Sequence, residues 1–328
     1  MPTGVATGVG SLPGTDPVDA VATVFGELPD FPHLPELPAR GPGAAVLGRG
    51  ATFLVDLAVD LQPAGWRMVP RPGRDMRRSF DLIARDLDAL QEHAVGYVGP
   101  LKVQAAGPWT LVAGIERHLG DKLLGDAAAV RDLGQSLGEG LAAHLADLRK
   151  RVPGAQLVLQ LDEPSLPAVL AGRVRTASGF GTLRRPEQPE ADVVLRSVLE
   201  CLGDVPVIVH CCAPDPPFGL FAGLGVAGVS VDLSLLSRRA DDDLGVAVES
   251  GVVLVLGVVP TVPVPMQPTR PDTAPAPVHE LWTRLGFPVE QLVDSVVVSP
   301  RCGLAGADPE YARYAMEQAR GIAAHLLD

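Results

Sequence analysis

The chain has 328 residues, 47% hydrophobic and 20% charged, with a formal net charge of −12. That composition suits a globular protein, and the scattered basic residues argue against a nucleic-acid or anionic-membrane surface. The start, MPTGVATGVGSLPG, lacks the basic residues and long apolar core of a secretory signal, and every apolar run is shorter than a bilayer span. The expectation is a cytoplasmic protein whose four cysteines are free, metal-bound or catalytic rather than disulfide-paired.

In chain order, ATGVGSL (6–12) reads as a strand and DPVDAVATVFGEL (16–28) as a helix capped by an aspartate. FPHLPELP (31–38) is a short, proline-laden strand candidate. Residues 43–62 read as helical, WRMVP (66–70) as part of a small hairpin, and residues 74–95 as an amphipathic helix. The remaining strand candidates are LKVQAAGP (101–108), QLVLQLDEP (156–164), PVIVHCC (206–212), GVSVDL (228–233), VLVLGVVP (253–260) and SVVVSPRCGL (295–304). Helical patterns cover 128–151, 190–203, 240–250, 278–286 and 308–327.

These make eight strand–helix units, with strand cores of Val, Leu and Ile that suit burial on both faces. The fold expected is α/β, a (β/α)8 TIM barrel forming one domain over residues 1–328, with a doubly wound open sheet as the alternative. There is no dinucleotide glycine fingerprint and no phosphate loop. PTVPVPMQPTRPDTAPAP (260–277) holds seven prolines, so it is neither helix nor central strand; it reads as a functional loop or a disordered one.

In a barrel, the carboxyl ends of the strands surround one mouth. Here those ends carry Ser11, Asp162 with Glu163, His210 with Cys212, Asp232 and Cys302. Such groups are costly at the ends of buried strands unless paired or ligated. Residues two apart on a strand share a face, so His210 and Cys212 point together while Cys211 points elsewhere. With Asp232 and Cys302 they make an N, S, S, O donor set, for which Zn²⁺ is the natural match. Buried cysteines also serve as small hydrophobes, and Cys201, in a helical pattern, reads as packing. Asp162 and Glu163 face opposite sides; Asp162 is taken for substrate and Glu163 for a structural role.

The set GVGSLPGTD, QLDEPSL, VHCC, VSVDL and SPRCGL, spread in order over residues 8–304, resembles the C-terminal catalytic half of cobalamin-independent methionine synthase. The resemblance implies a zinc barrel with His210, Cys212, Asp232 and Cys302 as ligands, Asp232 standing where the family has a glutamate. It implies homocysteine contacts through Gly10, Ser11 and Asp162, the last holding the ammonium, and a further site glutamate at Glu36. Two features depart from the family. GVVPTVPVP (257–265) lacks the histidine of the family's proton-donating segment, and GPWTLVAG (107–114) has Gly114 where the family has a folate-stacking tryptophan, with Trp109 displaced. The expectation is therefore methyl transfer to homocysteine from a non-folate donor such as methylcobalamin or a corrinoid protein. The alternatives are methylation of another small thiol, or a non-catalytic zinc-binding barrel.

Overall fold

The computed structural model describes residues 1–263 and 274–328; residues 264–273, most of the proline-rich segment, lie outside it. Its centre is a six-stranded parallel sheet: β3 (Gly99–Ala106), β4 (Ala155–Asp162), β5 (Val207–Cys211), β6 (Gly228–Asp232), β7 (Val253–Val259) and β8 (Val296–Pro300), in that spatial order. Each strand pairs only with its sequence neighbours, as in a TIM-barrel-like sheet. A doubly wound sheet would reverse its order part-way.

Helices fill every crossover between these strands. They are α4 (Pro108–Gly114) and α5 (Ala127–Arg151), α6 (Leu166–Leu170) and α7 (Gln188–Glu200), α8 (Phe218–Gly223), α9 (Asp241–Glu249), and α10 (Ala276–Leu285) with α11 (Leu292–Ser295). α12 (Pro309–Ala324) follows the last strand, and α1 (Pro17–Glu27), α2 (Val46–Ala51) and α3 (Arg74–His93) precede the first of the six. Local signals match: Asp16 caps α1 by accepting from Val18 N at 2.9 Å, with Pro17 in the first turn where its missing N–H costs nothing. The main core lies between sheet and helices. A second, smaller cluster of Phe31, Val158, Ile208, Val255 and Val297 lies on the opposite face of the strands, so both faces are buried.

Two expected strands are weaker than their sequences promise. Residues 4–12 run beside β8 through one parallel bridge, Ala6 to Val298, and residues 31–37 run beside β3 through another, His33 to Lys102. Ser11 and Glu36 bridge the two segments. Gly8 and Gly10 weaken the first segment, and Pro32 and Pro35 supply no N–H to a ladder in the second.

The helix expected over 43–62 is a second correction. Only its earlier part is α-helical, as α2; its end is β1 (Ala58–Gln62), which pairs antiparallel with β2 (Gly65–Val69) across a Pro63–Ala64 turn. Gly65, at φ +135°, makes that tight reversal possible. Cross-strand pairing and burial of Trp66 outweigh a weak helical periodicity here.

Candidate metal centre

β5 reads VIVHC and is buried throughout. Period-two alternation sends Ile208 into the small inner cluster and His210 to the same face one step nearer the mouth. Cys212 follows just past the strand end. Cys302 lies two residues past the end of β8. In a flat sheet β5 and β8 would stand about 14 Å apart, three strand spacings. Instead the ligand atoms of His210, Cys212 and Cys302 all lie within 4.8 Å of one another. Curling of the sheet is what brings these ends together.

The two Sγ atoms are 3.0 Å apart, close enough for one thiol to donate to the other. The pair shares a proton. Cys302 is pulled down to about 4 by its hydrogen bond with Cys212 and by facing His210, while Cys212 is pushed up by the same bond and by burial. His210 is 3% exposed. Its Nδ1 meets Ser230 Oγ at 2.9 Å, and its buried Nε2 has no hydrogen-bond partner. A buried imidazole nitrogen without a partner, beside two thiols of which Cys302 is drawn toward ionisation, is a donor set suited to a soft divalent cation.

Asp232, expected as the fourth ligand, is not part of this group. Its Oδ1 instead accepts from Ser234 N at 2.9 Å and from Ser234 Oγ at 2.6 Å, capping the turn after β6. An aspartate is short enough to be captured by the backbone two residues on, as a glutamate would not be. Among the described residues no other His, Cys, Asp or Glu joins the three.

Asp162 ends β4 with its Cα paired to that of His210. Burial pushes its carboxyl up to about 7, opposed by the nearby His210. Glu163 is fully buried and faces away: it accepts from Trp109 N (2.9 Å), Thr110 N (2.8 Å) and Thr110 Oγ (2.8 Å), capping α4. A side chain at Gly107 would collide with it, its Cβ falling 2.4 Å from Glu163 Oε1.

Gly10 and Ser11 run along the same rim. Leu304 N donates to Ser11 O at 2.7 Å, which ties this segment to the Cys302 loop. Glu36 faces Arg49 at 3.1 Å, and Arg49 in turn pairs with Asp86 at 2.8 Å, so the glutamate is held by a buried ion network. Trp109 is fully buried, its Nε1 donating to Ala191 O at 3.4 Å, and presents no face to a ligand. Gly114 abuts the side chain of Leu47, which would have to shift to admit a larger residue. His279 is bonded to Leu326 O at 2.8 Å.

Sequence reasoning missed Ser230 and the buried pair Lys102 and Gln160. Their signal was present: single polar residues inside otherwise apolar strands, at the same period as the ligands.

No helix among the described residues is long and apolar enough to cross a membrane. No family model matches the chain, and no curated protein matches it. Among solved structures it is similar to a B12-independent methionine synthase from Shewanella sp. W3-18-1 in complex with selenomethionine, with a TM-score of 0.62 over 98% of this chain and 97% of that one, at 11% identity. A 2,3-dimethylmalate lyase matches at a TM-score of 0.36 and 12% identity, over 93% of this chain and 79% of that one. At such identities the likeness to the methionine synthase is one of fold.

Proposed function

We propose that this protein is a zinc-dependent S-methyltransferase that moves a methyl group onto the thiol of homocysteine, making methionine. The observation that carries this reading is the convergence of His210, Cys212 and Cys302 from two non-adjacent strands. We take residues 1–328 as one (β/α)8 catalytic domain working in the cytoplasm, with segments 4–12 and 31–37 as the first two strands. The Ala6–Val298, Ser11–Glu36 and His33–Lys102 bridges support that closure.

His210, Cys212 and Cys302 would hold the zinc, and three protein ligands leave a position open, the pattern of catalytic sites. When bound, the metal supplies Lewis acidity that keeps an incoming thiol ionised at neutral pH. Ser230 fixes the ring orientation of His210. Asp162, beside His210, takes the substrate ammonium, an ion pair that offsets the cost of its burial and aims the sulfur at the methyl group. Gly10 and Ser11 line the amino-acid end through their backbone, with Glu36 held nearby by Arg49. We assign the methyl donor to a non-folate carrier such as methylcobalamin or a corrinoid protein. The buried Trp109, the Leu47 side chain packed on Gly114 and the missing histidine in 257–265 support that choice.

The test is metal analysis of purified wild type, Cys302→Ser and Asp232→Ala. Zinc should be stoichiometric in wild type, lost from Cys302→Ser and kept in Asp232→Ala; equal zinc in wild type and Cys302→Ser would sink the proposal. Homocysteine assays with methylcobalamin and methyltetrahydrofolate side by side test the donor. Turnover with the folate alone would overturn that assignment and leave thiol methylation standing.

A further inference from the structure

Lys102 sits in the middle of β3 with no surface exposed. It is a lysine buried inside a protein that leaves nearly every other cation at its surface. Its ammonium reaches Gln160 Oε1 at 2.8 Å, Val9 O at 2.9 Å and Gln104 Oε1 at 3.4 Å, which uses all three of its protons. An ammonium can only donate. It therefore draws the carbonyl ends of both amides towards itself and turns Gln160 Nε2 outward. That NH₂ group donates to Val9 O at 2.9 Å and to Asp162 Oδ1 at 2.7 Å. Gln104 Nε2, turned the other way, donates to Leu34 O. Every hydrogen-bonding choice in this cluster follows from the one residue that has no choice.

We infer that Lys102 is a positioning residue for amino-acid recognition: through Gln160 it holds the Asp162 carboxylate with Oδ1 engaged and Oδ2 left for the substrate ammonium. The inference rests on the reading of Asp162 as the ammonium site. The same cation holds Val9 O, and so the backbone entering Gly10 and Ser11, the other proposed contact for the amino acid. One buried charge thus sets two walls of the site from below. Burial lowers the Lys102 pKa to about 8 and the charges of Asp162 and Glu36 oppose that fall, so the ammonium form persists at neutral pH. Without it the Gln160 amide is free to turn over and present its oxygen to Asp162, which repels the carboxylate and spoils its aim.

The experiment titrates the zinc-supplied 328-residue chain calorimetrically with L-homocysteine and with 4-mercaptobutanoate, the same thiol acid without its amino group. Wild type should prefer homocysteine. Lys102→Met should lower homocysteine affinity about tenfold while leaving 4-mercaptobutanoate within about twofold, because the loss falls on the aim of Asp162 whereas the backbone at Gly10 and Ser11 stays tied to Glu36 and Leu304 by its own hydrogen bonds. Equal weakening of both ligands, or an undiminished preference, would overturn the inference. Circular dichroism reports whether Lys102→Met folds. Should it not fold, Gln160→Met breaks the link to Asp162 while Lys102 keeps Val9 O, and carries the same expectation and the same defeating results. Asp162→Asn separates the two roles. No preference in wild type, or a preference that survives Asp162→Asn, sinks the reading of Asp162 itself. A preference lost in Asp162→Asn but kept in the Lys102 or Gln160 variant sinks the role of Lys102 alone.

Discussion

Ser230 stands directly across the β5–β6 ladder from His210, its hydroxyl 2.9 Å from the ring's Nδ1. Fixing one nitrogen of an imidazole decides which way the other points and how basic it is. Ser230→Ala should therefore weaken zinc binding by about 10–100-fold while leaving the fold intact, the usual cost of losing such an orienting partner. Competition with a chromogenic chelator measures this, and an unchanged affinity would remove Ser230 from the site. The meeting of His210, Cys212 and Cys302 was legible from sequence because chemistry at a strand end is conspicuous and the period-two rule assigns its face. Ser230 and Lys102 were not, because a lone polar residue in a strand names no partner until the neighbouring strand is known. Asp232 stands apart from the three, its carboxylate accepting from the backbone two residues on, a local bond that its position at a strand end does not reveal.

At the scale of elements, the interior strands and long helices could be read because each obeys one period over enough residues. β3 to β8 and α5, α7, α9 and α12 all fall within a few residues of expectation. The failures lie where glycine and proline interrupt the period or where a strand pairs only locally, as in β1; the hairpin expected at 66–70 is there, as β2. Glycines within helices show what the pattern leaves out. α5 carries Gly134 and Gly138 against α7, and Gly140 against the backbone of Phe53, where a Cβ would lie 1.7 Å from the Phe53 carbonyl oxygen. Gly140→Ala gains up to about 1 kcal/mol of helix propensity, but the backbone must move, at about 1–3 kcal/mol. The variant should be destabilised. Gly245, in α9, faces open space: beyond its own stretch of helix, no atom lies within 4 Å of the point where a Cβ would stand. Gly245→Ala should accordingly stabilise by about 0.5–1 kcal/mol. Urea denaturation of both variants checks the pair, and a shift of the same sign in each would refute the packing account.

At the scale of the whole molecule, the two weakly bridged segments meet the six-stranded sheet at a seam, and His33 occupies it. Its ring lies behind Gly8, where a Cβ would fall 2.2 Å from Cε1, and it bridges to β3 at Lys102. It is 1% exposed, and neither ring nitrogen has a hydrogen-bond partner. Burial, then the charge of Lys102, holds its pKa well below 6.5. The folded state therefore refuses a proton that the unfolded chain accepts. Above pH 6.5 both states are neutral at this residue and stability is undiminished. As pH falls below 6.5 the unfolded state binds one proton more, and stability declines by about 1.4 kcal/mol per pH unit until the folded-state pKa is reached. His33→Gln removes that titration without adding bulk at Gly8. Relative to wild type, its unfolding free energy should fall less steeply between pH 6.5 and pH 5, by about one proton's worth of slope. Denaturant titrations across that interval give the slopes directly. Parallel curves would mean that the seam is indifferent to His33, and that closure between residues 4–12 and 31–37 rests on the backbone bridges alone.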